Sequence, residues 1–138
     1  MINDDKSSHY HILDVCPCSF DHADMRKVIE KVCMATVEQV RTGAQALDFI
    51  AKRRYHLVLI NRTLDGPMDG LSLLAALRRQ TNPPPAMLIS NYVDAQTSAR
   101  QMGALPGFGR AQIEESIAVQ RIAQALNTEN AAISARPA

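Results

Sequence analysis

The sequence predicts an α/β domain in which five β-α units wind a parallel sheet between two layers of helices. Three observations predict it. Short apolar runs of strand length alternate with longer helix-like stretches along almost the whole chain, a pattern that belongs to parallel sheets. Two of the runs, His56–Ile60 (HLVLI) and Ala86–Ser90 (AMLIS), are nearly continuous in apolar residues, as strands buried on both faces are. The chain has 138 residues, 46% of them hydrophobic, which suits one domain with a real core and leaves little room for two.

Each element follows in order. His11–Val15 is a short apolar run stopped by Pro17 and reads as the first strand. Asp21 or Asp24 is a candidate cap for the next helix, with Met25, Val28, Ile29 and Val32 on one face at helical spacing. Thr36–Val40 is a β-branched second strand. Thr42-Gly43 then precedes a helix whose stripe is Ala46, Leu47 and Ile50. After the third strand, His56–Ile60, the segment NRTLDGPMDG has loop composition, and Leu71–Arg79 is strongly helical. Asn82 and the prolines at 83, 84 and 85 end that helix, because proline lacks the N–H that a helix needs. Ala86–Ser90 is the fourth strand. Asp94–Met102 is a helix with Gly103 as its C-terminal cap. Leu105–Arg110 holds a short, glycine-interrupted last strand. Ile113–Leu126 closes the domain as an amphipathic helix, with Ile113, Ile117, Ile122, Ala125 and Leu126 facing in. Residues 1–9 and 127–138 are expected to be flexible termini, which leaves 10–126 as the domain.

Composition excludes several function classes. Fifteen Lys and Arg against 14 Asp and Glu give a net charge of +1, with no global attraction to nucleic acid or an anionic membrane. No apolar run is long enough to span a bilayer. The N-terminus, MINDDKSSHYHILDV, carries acids early and resembles no signal peptide, so a cytoplasmic location is expected. The cysteines are three, Cys16, Cys18 and Cys33, an odd and low number that favours reduced thiols. No nucleophile–base pair and no glycine-rich phosphate loop is visible, so no enzyme is expected.

Five β-α units suit the small doubly wound fold of flavodoxin type, with expected strand order 2-1-3-4-5. Ligands in such folds meet the carboxyl ends of the strands, near the switch in strand order. That rule selects Cys16–Ser19, Asn61–Asp69, Ser90–Tyr92 and Gly109–Ala111.

YHLVLINRTLDGPMDGLSLLAALR, residues 55 to 78, is the most specific piece of a wider pattern over residues 10 to 126, and it resembles the CheY-like receiver domain of two-component response regulators. In receivers a buried strand delivers an aspartate, a short loop follows with Leu or Met three residues on, and Asp-Gly opens a Leu-rich helix. Here Leu64 stands three residues after Asn61, and Asp69-Gly70 opens the helix. AMLISNYVDAQTSARQMGA, residues 86 to 104, resembles the fourth strand ending in Ser or Thr and a helix closing with Met-Gly-Ala. Phe108 and Arg110 resemble the aromatic and basic positions that end the fifth strand.

The resemblance implies phosphoryl transfer to an aspartate, helped by a magnesium ion that further carboxylates hold. Several positions depart from that pattern. Asn61 stands at the phosphoacceptor position, and an amide does not attack phosphorus. Cys16 and Pro17 replace the acidic pair, offering no hard oxygen ligands for magnesium, so no metal or cofactor site is expected. Of the switch positions, Ser90 keeps its type, Arg110 replaces lysine, and Phe108 precedes Arg110 by two residues where the family shows three. The resulting expectation is a degenerate receiver, a signalling module that acts through protein partners without phosphorylation. The resemblance places its partner face over residues 94–126, a face through which many receivers also form homodimers.

Two alternatives stay open at this level. Asp14 or Asp65 is a possible rescue carboxylate, although Asp65 also suits an Asp-Gly-Pro turn. His9, His11, Cys16, Cys18 and His22 form a cluster of metal-binding and thiol residue types, which admits a metal or redox sensor, though their spacing matches no common zinc pattern. Asp14, a charged group inside an apolar strand, needs a partner; Arg110 or a helix end is the candidate.

Overall fold

A computed structural model describes residues 9–135, with side chains to residue 127. Its five strands are β1 (Tyr10–Val15), β2 (Ala35–Val40), β3 (Leu57–Asn61), β4 (Ala86–Ile89) and β5 (Leu105–Phe108). Between and after them run α1 (Ser19–Glu30), α2 (Gly43–Lys52), α3 (Gly70–Arg78), α4 (Val93–Gln101) and α5 (Ser116–Ala135), with a 3₁₀ turn at Arg110–Gln112. The sheet order is β2-β1-β3-β4-β5 and every pairing is parallel. The flavodoxin-type order expected from the sequence is the one observed.

Side chains alternate faces along a strand, and this alternation divides the core in two. Val58 and Ile60 of β3 join Leu13, Val15 and Leu88 against Ala46 of α2, Leu73, Leu74 and Leu77 of α3, and Ala95 and Ala99 of α4. Leu57 and Leu59 turn to the opposite face. There they meet Ile12, Met87, Ile89 and Phe108, covered by Met25, Val28 and Ile29 of α1 and by Ala118, Ile122, Ala125 and Leu126 of α5. Burying each such aliphatic side chain contributes roughly 1.5–3 kcal/mol. A strand that feeds both layers therefore has to be apolar at every position, which is why HLVLI shows no polar alternation.

Four element ends depart from the sequence reading. Helix α1 is capped at Cys18 without a side-chain bond, so neither Asp21 nor Asp24 is its cap; Asp21 lies in the first turn. Only Cys16-Pro17-Cys18 separates β1 from α1, so the helix starts sooner than either aspartate would place it. The last strand stops at Phe108, and Arg110 belongs to the 3₁₀ turn. Helix α5 starts at Ser116, leaving Ile113 outside it, and its buried stripe begins at Ala118 while Ile117 is only half-buried. It also runs to Ala135, so residues 127–135, expected to be a loose terminus, are helical. The other parts of the expected flexible termini, residues 1–8 and 136–138, lie outside the described residues.

Two local features position the carboxyl end of the sheet. Asp69 caps α3 by accepting a hydrogen bond from the Ser72 N–H at 2.8 Å. Gly70, next to it, packs so closely on the end of β3 that a Cβ there would overlap the Asn61 carbonyl oxygen and lie 3.0 Å from Arg62 Cα. The Asp-Gly pair thus ties α3 directly to the end of β3.

Candidate functional site

Four strand ends meet over the middle of the sheet. Asn61 is the last residue of β3 and occupies the same face as Leu57 and Leu59. Both ends of its amide are engaged. Nδ2 donates to the Val15 carbonyl at 3.0 Å, and Oδ1 accepts from Arg110 at 3.4 Å.

Arg110 reaches this place from the turn after β5. That turn is built by neighbouring polar side chains. Gln112 Oε1 accepts from the Gly109 N–H at 2.9 Å, and Asn91 Oδ1 accepts from the Ala111 N–H at 3.0 Å. A Cβ at Gly109 would overlap the Asn91 side chain, so glycine is what the close approach permits. From here the guanidinium donates to the Asp21 carbonyl at 3.2 Å, to Asn61 Oδ1 and to the Cys16 thiol at 3.4 Å. Its Nε lies 3.4 Å from the Asp21 carboxylate, an ion pair without hydrogen-bond alignment.

Cys16 is fully buried, and its thiol points at the Cys18 carbonyl at 3.4 Å. Burial, reinforced by the Asp14 charge, pushes this thiol up to about 11. Its own carbonyl accepts from Gln39 at 2.7 Å. The Pro17 carbonyl accepts from Arg41, whose guanidinium also donates to Ser19 Oγ at 3.1 Å and lies 3.9 Å from the Asp65 carboxylate.

This donor set does not fit a magnesium ion. Magnesium takes six oxygen ligands in near-ideal octahedral geometry, usually with carboxylates among them. At Cys16 and Pro17, where the resemblance leads one to expect an acidic pair, stand a protonated thiol and a proline whose carbonyl already binds Arg41. A guanidinium sits against Asn61 Oδ1, the one side-chain oxygen at the end of β3. Among the described residues no three His, Cys, Asp or Glu side chains converge as a metal set would.

Of the residues expected at switch positions, Ser90 is buried and its Oγ accepts from the Tyr92 N–H at 3.1 Å, shaping the entry to α4. Phe108 pairs with Ile89 in the sheet and is buried in the α1–α5 core. Gly107 lets this edge strand approach β4, since a Cβ there would overlap the Leu88 carbonyl oxygen.

Asp14 is fully buried and points toward α1. Its Oδ2 lies 2.8 Å from His22 Nδ1, while Oδ1 has no partner among the described residues. Desolvation raises its carboxyl above the usual range, against the pull of the neighbouring imidazole and of the Arg110 charge. The partner expected for Asp14 was Arg110 or a helix end; the one that bonds it is His22. Asp65 is exposed in the loop before Gly66, whose φ of 82° makes the turn. It is paired with Arg41 and is not brought to Asn61.

The proposed metal or thiol cluster is split by β1. His9 and His11 lie at the strand's amino end, where His9 Nε2 is 2.7 Å from Thr36 Oγ1 and the His11 ring stacks on His56. Cys16, Cys18 and His22 lie at its carboxyl end, about 15 Å away at a strand's rise per residue. Cys33 is half-buried, and burial pushes its thiol to about 11 as well. All three cysteines are free.

Gln39, Arg41, Asn91 and Gln112 shape this region and carry no signal in the sequence, and His22 stood out there only as a member of the metal and thiol cluster, not as the partner of Asp14. Each acts across a turn or between strands that are distant in the chain, so no spacing rule marks it.

Comparisons with known proteins agree with this architecture. Among solved structures, the chain is similar to a sensor protein from Polaromonas, with TM-score 0.76, 20% identity, and coverage of 87% of this chain and 98% of the other. The N-terminal domain of a three-domain response regulator from Carboxydothermus hydrogenoformans superposes with TM-score 0.72 and 20% identity, covering 89% and 98%. The signal receiver domain of a histidine kinase from Syntrophus aciditrophicus gives 0.67 and 20%, covering 85% and 92%. No curated protein matches the sequence. The sequence pattern of the response regulator receiver domain matches residues 21–105, more than half of the chain. With the strand order and helix layers described above, that match shows that the chain belongs to the response regulator receiver family, the signalling modules of two-component systems.

Proposed function

We propose that this receiver acts as a protein-docking module without aspartyl phosphorylation. The observation that carries the reading is the state of Asn61. Its amide is bonded at both ends, to Val15 and to Arg110, at the strand end where the family presents its phosphoacceptor. An amide has no carboxylate oxygen with which to attack phosphorus. The thiol of Cys16 and the engaged carbonyl of Pro17 stand where acidic metal ligands are needed.

The other carboxylates support the same reading. Asp65 is turned to Arg41, and Asp14 lies beneath His22 in the core. With no phosphoryl group to bind one conformation better than another, partner binding alone sets the conformation of the domain. The docking face runs over residues 94–126, where α4 and β5 enclose a groove lined by Thr97, Arg100, Gln101 and Leu105. Exposed Tyr92 and Val93 extend this face at the start of α4. A second copy of the chain is one occupant to test there.

The experiment is intact mass after incubation with acetyl phosphate and magnesium, run beside Asn61→Asp. No phosphoryl adduct on the native chain is the expected result. A stoichiometric adduct on the native chain overturns the reading, and peptide mapping would then locate it on Asp14, Asp65 or elsewhere.

A further inference from the structure

We infer that Arg110 is a built-in cation that clamps the ends of β1 and β3 and the first turn of α1 together. The inference rests on the docking-module reading only in that no ligand competes for this place.

The geometry is a three-way junction. One guanidinium meets Cys16 at the end of β1, Asn61 at the end of β3, and both the backbone carbonyl and the carboxylate of Asp21 in the first turn of α1. None of these segments is near Arg110 in the chain; the separations are 94, 49 and 89 residues. Asn61 passes the connection on to the Val15 carbonyl, so β1 is held twice. A planar fork with five donors can serve several acceptors at once, whereas a lysine ammonium is a single point. That gives a physical reason for arginine at this position.

Electrostatics favour the same assignment. The surroundings contain two carboxylates, Asp14 and Asp21, and an amide oxygen directed inward. Arg110 is the guanidinium that faces them, and its side chain is only 23% exposed. Without it, Asn61 Oδ1 would lose the guanidinium that bonds it, and Asp21, 42% exposed, would be left to solvent. The Asp14–His22 pair would lie behind them.

The test uses the full chain, with amide exchange followed by mass spectrometry. Variants are Arg110→Ala and Arg110→Lys. Arg110→Ala is expected to speed exchange about tenfold in segments 16–22 and 61–65, which include the bonded amides of Cys16, His22 and Asp65, the range of local opening, while leaving α3 unchanged. Ethylguanidinium, at a concentration that leaves the native chain unaffected, should restore protection; tetramethylammonium at equal ionic strength should not. Arg110→Lys should recover only a small part of the protection. If Arg110→Ala does not fold, Arg110→Lys carries the same comparison. Native exchange rates in both segments of either folded variant would overturn the clamp. Equal restoration by the two cations would overturn it too. A phosphoryl adduct on the native chain would refute the docking-module reading while leaving the exchange result to stand, so the two failures are distinguishable.

Discussion

Replacing His22 with alanine leaves the Asp14 carboxylate buried with its only bonded oxygen unpaired. The lost contact is a 2.8 Å bond to a charged group, a kind that contributes about 1.5–3 kcal/mol. Breaking one partner out of a buried pair can cost about 3–5 kcal/mol when the remaining charge stays ionised. Asp14 has an escape, since it can take up a proton, and His22 is 14% exposed, so part of its attraction is already screened. The expected loss at pH 8 is therefore about 2–3 kcal/mol, below the range for breaking a fully buried pair and in the upper part of that for a single charged hydrogen bond. At about 4 °C per kcal/mol for a chain of this size, the melting temperature should fall by roughly 8–12 °C.

The pH dependence follows from the direction of the shift. Asp14 has a folded-state pKa above its usual 3.8, so the folded chain holds this proton more tightly than the unfolded chain does. Stability linked to Asp14 is fully present below pH 3.8 and is lost as pH rises through the folded value. Without His22, which pulls that value down, the folded value rises further. The deficit of His22→Ala against the native chain should thus be larger at pH 8 than at pH 5. Urea denaturation at the two pH values measures it, with Asp14→Asn, which removes the charge and keeps the size, as control. A deficit under about 1 kcal/mol at pH 8, or one independent of pH, would refute the argument from a buried, partner-dependent carboxylate.

Three further outcomes are expected. Asp69→Ala removes the cap of α3 and should cost about 1 kcal/mol in urea denaturation; because the Ser72 N–H holds the Asp69 carboxyl below its usual value, the native advantage is present above pH 3.8 and should fade as pH falls toward the folded value. Gly70→Ala forces a methyl into the Asn61 carbonyl and should destabilise by about 1–3 kcal/mol, as overpacking does, with the amide signal of Asn61 among those that move most in NMR spectra. Cys16 and Cys33, both pushed to about 11, should alkylate slowly with iodoacetamide at pH 8, leaving Cys18 the first thiol modified in a timed mass series.

Much of the fold could be read from the residues because its causes are local and repetitive. HLVLI and AMLIS read as buried strands, and β3 and β4 are those strands with two-sided burial. The Asp69-Gly70 pair read as a helix start, and Asp69 is the cap. The start of α1 was less legible. Cys18 caps it without a side-chain bond, so the usual marker of a helix start is missing and the two aspartates that looked like caps lie inside the helix. The far end of α5 was obscured in a similar way, since NTENAAISARPA lacks a strong apolar stripe although its alanines suit a helix.

By itself, the sequence determined the layers and the set of residues at the carboxyl ends of the strands, while the strand order was an expectation carried by the likeness to a flavodoxin-type fold. Those follow from periodicity, from the rules of parallel connection, and from the residue types present. Which of those residues touch was decided only in three dimensions. Asp14 meets His22 rather than Arg110, while Arg110 turns to Asn61, Cys16 and Asp21. Asp65 goes to Arg41. The physical reason is reach. A side chain of a few ångströms chooses its partner by the twist of the sheet and the exit angle of each turn, and those angles are sums over the whole packed domain that no local pattern carries.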